Sequence, residues 1–395
     1  MPIDNYQSFQ FLEEEADYRR FVLAPQRDRV PSLVVATSAA DEDRVNTLMK
    51  RELMISLHDH PTVLPDNLEE VPDLIRQGRD FTGYEGLRAS RLDVVFDNML
   101  DGTSMITSQS GWKWDDILYD LGMRLCDFYH QEWARVIYRV DDIYDTKRHG
   151  QIGVVLSLEA ATPIENELDR LDILYGFGVR CMGLVYSESN ALGGGLREGR
   201  DGGLTVFGRH VVRRMNQLGI AIDVSHTGDQ TALDAIECSD QPIFITHAGA
   251  RTLWKTSRMK PDEVIRACAK QGGVIGVEAA PHTTLTERRP QHSIESYMEH
   301  FEYIANLVGI DHVAFGPDTL FGDHVGLHRL FAKNMSIGQA QEGPQFEPVS
   351  YVDGLENPGD FPNIVRWLVT HGYDDQDIAK VMGKNVMKVL HDVWS

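Results

Sequence analysis

The sequence has few cysteines and no two of them close together. Cys126, Cys181, Cys238 and Cys268 are scattered through 395 residues, without any C-x-x-C spacing. This distribution predicts neither a disulfide framework nor a thiolate metal site. We therefore expect four reduced thiols, as is usual in a cytoplasmic protein.

The chain also lacks a membrane signal and an excess of positive charge. Its N-terminal segment has no basic stretch followed by an apolar one, and no apolar run reaches membrane-spanning length. With 60 acidic and 38 basic residues, the formal net charge is −22. Nucleic acids and anionic membranes would be repelled by this charge. We expect a cytoplasmic protein with a small-molecule substrate, and a homodimer remains open.

What the chain does contain is a series of apolar, β-branched runs separated by amphipathic segments. Near-continuous apolar runs indicate strands that are covered on both faces. Crossover helices are predicted between them, for example over 205–218, 262–271 and 293–308. The eight candidate strands are LMISLH, LDVVFD, IGVVLSLE, VRCMGLVY, IAIDVSH, PIFITH, GVIGVE and HVAFGPD. This alternation predicts an α/β protein, a (β/α)8 TIM barrel in one domain.

Three segments fall outside the regular alternation. Residues 1–50 precede the barrel of residues 51–395 and are expected to form an N-terminal extension packed on it. An insertion near 100–150 has helical periodicity, with a possible apolar stripe of Leu118, Leu121, Leu125 and Phe128. A stretch near 321–358 has scattered Gly and Pro, and it is predicted to be a long loop that could carry a lid.

The stretch ISLHDHPTVLPDN places His58 and His60 two residues apart at the end of the first candidate strand. Residues i and i+2 of a strand point to the same side, so both imidazoles should emerge together. Asp59, between them, should point away. This arrangement is typical of metal ligands. A polar loop that happens to be rich in histidine would give the same sequence pattern.

Other strands end in the same kinds of side chain. Glu159 follows VVLSL, His226 ends IAIDVSH, His247 ends PIFITH, and Asp318 ends VAFGPD. The carboxyl ends of barrel strands form the face on which active sites lie. Each residue alone could be a helix cap or a turn residue. Together, imidazoles and carboxylates that converge on one barrel mouth predict a site for Zn²⁺ or a similar divalent ion.

The number of candidate ligands predicts two metal ions. Five or six ligands exceed the four of a single zinc site, and Glu159 is a candidate bridge between two ions. Zinc is the expected metal, while manganese, iron and cobalt also suit such ligands. Two adjacent ions can hold a hydroxide and polarise a carbonyl, which indicates hydrolysis. Asp318 is expected to be catalytic, as a proton shuttle.

Several long stretches resemble the membrane (renal) dipeptidase family, peptidase family M19 of the amidohydrolase superfamily. They include GVRCMGLVYSESNALGGG, KPDEVIRACAKQGGVIGV and HVAFGPD, in the order and spacing of that family, from about residue 54 to 390. The resemblance implies a (β/α)8 barrel in which Asp318 is the general acid/base and Glu159 bridges the metals. The metal ligands that it implies are His58, Glu159, His226 and His247.

The resemblance also implies that Arg258 holds the carboxylate of a dipeptide, since its planar fork binds carboxylates with two hydrogen bonds. The alternative is a surface arginine at the start of a helix. Three positions depart from the family. His60 replaces the Asp of an H-x-D motif, and Met259 replaces an Asn. Tyr186 replaces a His that stabilises the tetrahedral intermediate, and its phenol offers a hydrogen bond without a charge.

Three functions are therefore open. The first is a dipeptidase-like metallohydrolase that cleaves an amide bond in a small carboxylate-bearing substrate. The second is a metal-dependent hydrolase or lyase of a non-peptide molecule, including an aromatic one. The third is a barrel that binds metal or ligand without turnover. Aromatic residues that could contact the substrate in the second case are Trp112, Trp114, Trp254 and Phe321.

Overall fold

The computed structural model describes residues 6–31, 33–76, 79–99, 112–334 and 351–394. These contain one parallel sheet with the hydrogen-bonded strand order β1-β2-β4-β5-β6-β7-β8-β9, and β3 pairs with β4. The strands are β1 (Ile55–Asp59), β2 (Val94–Met99), β3 (Ala134–Val136), β4 (Ile152–Leu158), β5 (Val179–Gly183), β6 (Ala221–Asp223), β7 (Phe244–Ala248), β8 (Val274–Val277) and β9 (Val313–Phe315). Helices between the strands cover the outside of the sheet, so the predicted α/β barrel is confirmed.

Backbone hydrogen bonds join the two ends of the sheet just after β1 and β9. The amide of Asp318 donates to the carbonyl of His58 at 2.9 Å, and the amide of His60 donates to the carbonyl of Thr319 at 2.8 Å. The first and last strands are therefore held together at their carboxyl ends. This seam lies at the face on which the candidate metal ligands were expected.

Three helices have limits predicted from the sequence, and each begins and ends within one residue of them. The three predicted crossover helices are confirmed as Val206–Leu218, Asp262–Lys270 and Ile294–Val308. Side chains cap two of them, because Thr205 accepts from the amide of Gly208 and Ser293 accepts from that of Ser296. The other α-helices are Ala39–Arg51, Val71–Arg76, Tyr84–Ser90, Trp114–Tyr129, Val140–His149, Arg170–Gly176, Asp229–Cys238, His324–Asn334, Pro362–Thr370, Asp375–Ala379 and Asn385–Val393, and a π-helix spans Lys380–Lys384.

The predicted helical insertion lies partly on residues 100–111, which are outside the described part of the chain, and its described part, residues 112–150, contains two helices with a short strand between them. β3 pairs with the first half of β4, and β5 pairs with the second half. The sequence does not predict β3 because it has only three residues, one of them exposed, within a longer helical pattern. Leu121, Leu125 and Phe128 are buried as predicted, whereas Leu118 is only half-buried.

The segment predicted as a long loop near 321–358 contains a helix, His324–Asn334, which corrects that prediction. Leu327 of this helix packs with Leu64 and Val71 in a small apolar cluster. Tertiary contact of this kind stabilises a helix whose own periodicity is weak. The rest of the predicted loop, including a possible lid, falls largely on residues 335–350, which lie outside the described part of the chain.

The N-terminal residues contact the barrel at several points. Ser8 Oγ and the amide of Phe9 both donate to the Asp127 carboxylate at 2.8 Å. Arg366 Nη2 forms an ion pair with Glu42 at 2.9 Å. The domain boundary near residue 50 stays a prediction. No helix in the described ranges has the length and apolarity needed to cross a membrane.

Candidate metal centre

Four of the predicted site residues place one ligand atom each in a common buried space. His58 lies on β1, Glu159 directly follows β4, His247 lies on β7, and Asp318 follows β9. Their imidazole nitrogens and carboxylate oxygens are all within 4.8 Å of one another. The chain positions of these residues are far apart, so the closed barrel brings them together.

The two remaining predicted histidines adjoin this cluster. His226 Nε2 lies 2.9 Å from His247 Nε2 and 3.0 Å from Glu159 Oε1. His60 Nε2 lies 3.0 Å from Asp318 Oδ1 and 3.3 Å from His58 Nε2. All six strand-end side chains thus form one group at the barrel mouth.

The chemistry of the donor set fits a divalent cation. Burial lowers the pKa of His58 to about 4, and it lowers the pKa of His226 and of His247 well below the usual range. Neutral imidazole is the form of histidine that binds a metal. Among the described residues, His226 Nδ1 has no hydrogen-bond partner, whereas its Nε2 faces Glu159 and His247. Imidazoles converging on Glu159 and Asp318 therefore suit a cation.

A second layer of side chains orients the imidazoles. The Thr246 hydroxyl lies 2.7 Å from His247 Nδ1 and 3.4 Å from His58 Nδ1. The Asp223 carboxylate fixes Thr246 by accepting its backbone N–H at 2.9 Å. Contacts at Nδ1 leave Nε2 of both rings for a metal, an arrangement that is common around protein metal sites. Nothing in the sequence marks Thr246 as a site residue, whereas Asp223 ends β6 within IAIDVSH and carries the same strand-end signal as Glu159.

Asp59 points away from the cluster, as strand alternation predicts. Its Oδ1 accepts from the backbone amide of Thr319 at 2.9 Å and from the Thr319 hydroxyl at 2.8 Å. Burial raises the pKa of Asp59 to about 7. Asp59 therefore stabilises the seam between β1 and β9. Its carboxylate does not reach the position that the His60 imidazole occupies in the cluster.

His60 and Asp318 form a buried pair. Burial disfavours the charged form of His60, but the hydrogen bond and charge of Asp318 outweigh it and raise the pKa of His60 to about 9. Burial likewise opposes ionisation of Asp318, whereas His247 and His58, together with His60, hold its pKa well below the usual range. Asp318 also has a left-handed backbone conformation, with φ of 60°. Such strain at a non-glycine residue is often found at functional positions.

Arg258 lies at the same pocket. Its Nη1 donates to the His247 carbonyl at 3.0 Å, and its Nη2 lies 3.8 Å from Asp318 Oδ2. The side chain is only 15% exposed, so the alternative of a surface arginine is wrong. Its role as a substrate anchor stays a prediction. The following residue, Met259, is fully buried.

Two buried charged residues near Arg258 are not among those predicted from the sequence. Glu278 directly follows β8, and its Oε2 forms an ion pair with Arg258 Nη2. Burial raises the pKa of Glu278, while Arg258 opposes this rise. The sequence does carry a signal for this residue, because GVIGVE ends an apolar run in a carboxylate just as VVLSLE does. Lys260 donates to the Thr227 carbonyl at 2.7 Å. Burial, and to a lesser extent the positive charge of Arg258, lowers the pKa of Lys260 to about 7.

The aromatic residues named from the sequence occupy three kinds of position. The Tyr186 ring stacks on the His226 ring with centroids 4.3 Å apart, which places it beside the cluster. Trp112 and Phe321 are fully buried, and the Phe321 ring contacts Gly83 and Gly86. Core packing therefore accounts for Trp112 and Phe321, whereas Trp114 and Trp254 are half-buried.

The fold and site define a (β/α)8 barrel with a buried histidine–carboxylate cluster at the carboxyl ends of its strands. The sequence profile of the membrane dipeptidase family, peptidase family M19, matches residues 115–328 and 336–395. The chain belongs to that family, as the resemblance predicted.

Individual relatives agree with this assignment. Dipeptidase tcpJ of Claviceps purpurea is 26% identical over 278 residues, which are 69% of this chain and 58% of the relative. Dipeptidase aclJ of Aspergillus oryzae is 27% identical over 262 residues, which are 64% of this chain and 55% of the relative. The chain thus spans little more than half the length of these curated relatives.

Solved structures share the fold over most of their length. An amidohydrolase from Pseudomonas aeruginosa superposes with a TM-score of 0.74 at 25% identity, covering 89% of this chain and 99% of that one. A metallopeptidase from Rhodobacter sphaeroides, solved with a phosphinate mimic of the dipeptide L-Ala-D-Ala, has a TM-score of 0.68 at 18% identity, covering 87% and 99%. The second likeness concerns the fold alone.

Proposed function

We propose that the protein is a metal-dependent hydrolase that cleaves an amide bond in a small, dipeptide-like substrate. The observation that carries the proposal is the buried cluster of His58, Glu159, His247 and Asp318, with ligand atoms within 4.8 Å of one another. Membership of the membrane dipeptidase family supports the same reaction. Metal ions held by such a donor set can activate water for hydrolysis, and the family membership favours an amide as the bond cleaved.

The residues that would hold the metal are His58, His60, Glu159, His226 and His247. Glu159 Oε1 lies 3.0 Å from His226 Nε2, 3.5 Å from that of His247 and 3.8 Å from that of His58, so this carboxylate is central among the imidazoles and is the ligand that we propose two ions would share. We propose two ions, zinc first, with manganese, iron and cobalt as alternatives. Bound divalent ions would polarise the scissile carbonyl and lower the pKa of a water molecule.

The remaining side chains would move protons and bind the substrate. Asp318 is proposed to take a proton from the attacking water and to deliver it to the leaving nitrogen. Tyr186, stacked on His226, would donate a hydrogen bond from its phenol to the oxygen on which charge develops. Arg258 would contact the substrate, since its Nη2 is 3.8 Å from Asp318 Oδ2. A cytoplasmic location, suggested by the isolated cysteines, and a homodimer stay proposals.

The test compares metal content and hydrolysis in three proteins purified without chelator and loaded with Zn²⁺ or Mn²⁺. The substrates are dipeptides, dipeptide amides and N-acyl amino acids. Wild type should hydrolyse at least one class, and His247→Ala should lose metal and at least about 100-fold in kcat/KM. The control is His130→Ala, which alters an exposed histidine outside the cluster and should match wild type. A loaded wild type that cleaves no amide substrate would contradict the proposal.

A further inference from the structure

Arg258, the expected anchor for a substrate carboxylate, already has a carboxylate partner within the protein. Its Nη2 forms an ion pair with Glu278 Oε2, and its Nη1 donates to the His247 carbonyl at 3.0 Å. The Glu278 side chain is completely buried. Glu278 follows β8, between the strands that carry His247 and Asp318, so the ion pair lies at the barrel mouth.

The hydrogen-bonding capacity of Arg258 is therefore partly used. A guanidinium binds a carboxylate most strongly through two parallel N–H groups of its planar fork. Here one terminal nitrogen faces Glu278, and the other donates to a backbone carbonyl. Three of its five N–H groups remain for a substrate, so the restriction on a substrate carboxylate comes mainly from charge.

The charges around Arg258 also oppose a second anion. Its single positive charge faces Glu278 in direct contact and Asp318 at 3.8 Å. A substrate carboxylate bound to Arg258 would lie close to both of these groups. Like charges repel strongly where burial excludes water. A neutral amide avoids this repulsion, since its oxygen can accept from Arg258 while its N–H donates to Glu278.

We propose that Glu278 is a specificity-determining residue that satisfies Arg258 and directs the enzyme to substrates with a neutral group, such as an amide or ester, on that side of the scissile bond. The inference rests on the proposed hydrolase function. On this proposal the group that contacts Arg258 is a neutral polar group of the substrate and not a free carboxylate. The buried side chain of Glu278 is the cause of that preference.

The experiment uses two substrates with the same scissile bond, L-Ala-L-Ala and L-Ala-L-Ala amide, and the metal-loaded protein. Wild type should have the lower KM for the amide. Burial raises the pKa of Glu278 to about 8, so the assays are run at pH 9, where its side chain is ionised. Glu278→Gln then removes the negative charge at nearly constant shape, and KM for L-Ala-L-Ala should fall by about tenfold or more. KM for the amide should change less than about threefold, and kcat for both should stay within a few-fold.

The matched control is Asp93→Asn. Asp93 is a largely buried carboxylate that pairs with Lys147 at 2.7 Å, but it precedes β2 and so lies at the opposite end of the barrel. This variant should lose stability without any change in the ratio of the two KM values. A change of selectivity in Glu278→Gln alone separates a role in specificity from a general effect of breaking a buried ion pair.

Two results would overturn the inference. One is an unchanged KM ratio in a folded, metal-loaded Glu278→Gln protein. The other needs no variant: a wild type with at least tenfold higher kcat/KM for the free carboxylate rejects the role of Glu278 while the hydrolase function stands. If loaded wild type cleaves neither these two substrates nor any other amide, the proposed function fails, and the inference fails with it.

Discussion

His60 Nε2 lies 3.0 Å from Asp318 Oδ1, across the seam at which the first and last strands of the barrel meet. The backbone reinforces the pair, because the Asp318 amide donates to the carbonyl of His58 at 2.9 Å. Asp318 is the proposed proton shuttle and His60 is a proposed metal ligand. Because the two side chains contact each other, a change of charge at position 60 should affect both metal binding and catalysis.

Asp318→Asn should abolish most catalysis and leave the fold and most of the metal in place. The amide is nearly isosteric and can keep a contact with His60, but it cannot carry a proton between water and leaving group. We expect kcat to fall by about 10²–10⁴-fold, the range of general acid–base help. The measurement is kcat and metal content on one preparation. Near-native kcat with full metal would reject the shuttle role, and stoichiometric metal loss would make Asp318 a structural ligand.

His60→Asp should make the protein more dependent on metal. Without metal, the new carboxylate would lie beside Asp318 in a buried site, and we expect a stability loss of about 3 kcal/mol or more from the lost pair and the added repulsion. With metal bound, an anionic ligand should recover this loss. The measurement is the rise in melting temperature on adding Zn²⁺, which should be larger in this variant than in wild type.

His60→Asn is the control for this prediction, because it removes the imidazole without adding a charge. Its melting temperature should respond to Zn²⁺ less than that of His60→Asp. Equal responses of the two variants would indicate that position 60 does not face the metal.

Gly86→Ala should destabilise the protein even though alanine is the better helix former. A Cβ at Gly86 would collide with the ring of Phe321, which is buried in the core and lies three residues after Asp318. Overpacking of this kind costs about 1–3 kcal/mol. Thermal unfolding measures the effect. Gly122→Ala, at an exposed position of helix Trp114–Tyr129 where the added Cβ would have no atom of another part of the chain within 4 Å, should instead stabilise by up to about 1 kcal/mol. A higher melting temperature for both variants would contradict the predicted clash.

Lys260→Met should change how stability depends on pH. The folded protein lowers the pKa of Lys260 from 10.5 to about 7, so between these values the unfolded chain binds a proton there that the folded protein does not. The stability of wild type relative to Lys260→Met should therefore rise from pH 7 to pH 10, by up to ~4 kcal/mol. Chemical unfolding at fixed metal load tests this. Lys255→Met, at an exposed position, reports the general effect of the substitution. A difference that falls over this pH range would have the wrong sign.

The sequence by itself determined the eight barrel strands and the side chains at their carboxyl ends. Both follow from local pattern, because an apolar run defines a strand and the residue after it must lie at the strand's end. For this reason His58, Glu159, His247 and Asp318 could be placed together before any contact was known. The same local logic predicted that Asp59 would turn away from the two histidines.

Only the tertiary structure decided which of these groups pair and what surrounds them. Arg258 and Glu278 lie on different connections of the barrel, and nothing local in either segment predicts that they form an ion pair. The strand Ala134–Val136 and the helix His324–Asn334 likewise depend on partners distant in the chain, β4 and the apolar cluster around Val71. Local pattern determines the element and the strand end on which a side chain lies. Which group it contacts depends on closure of the barrel and on how the surrounding side chains pack.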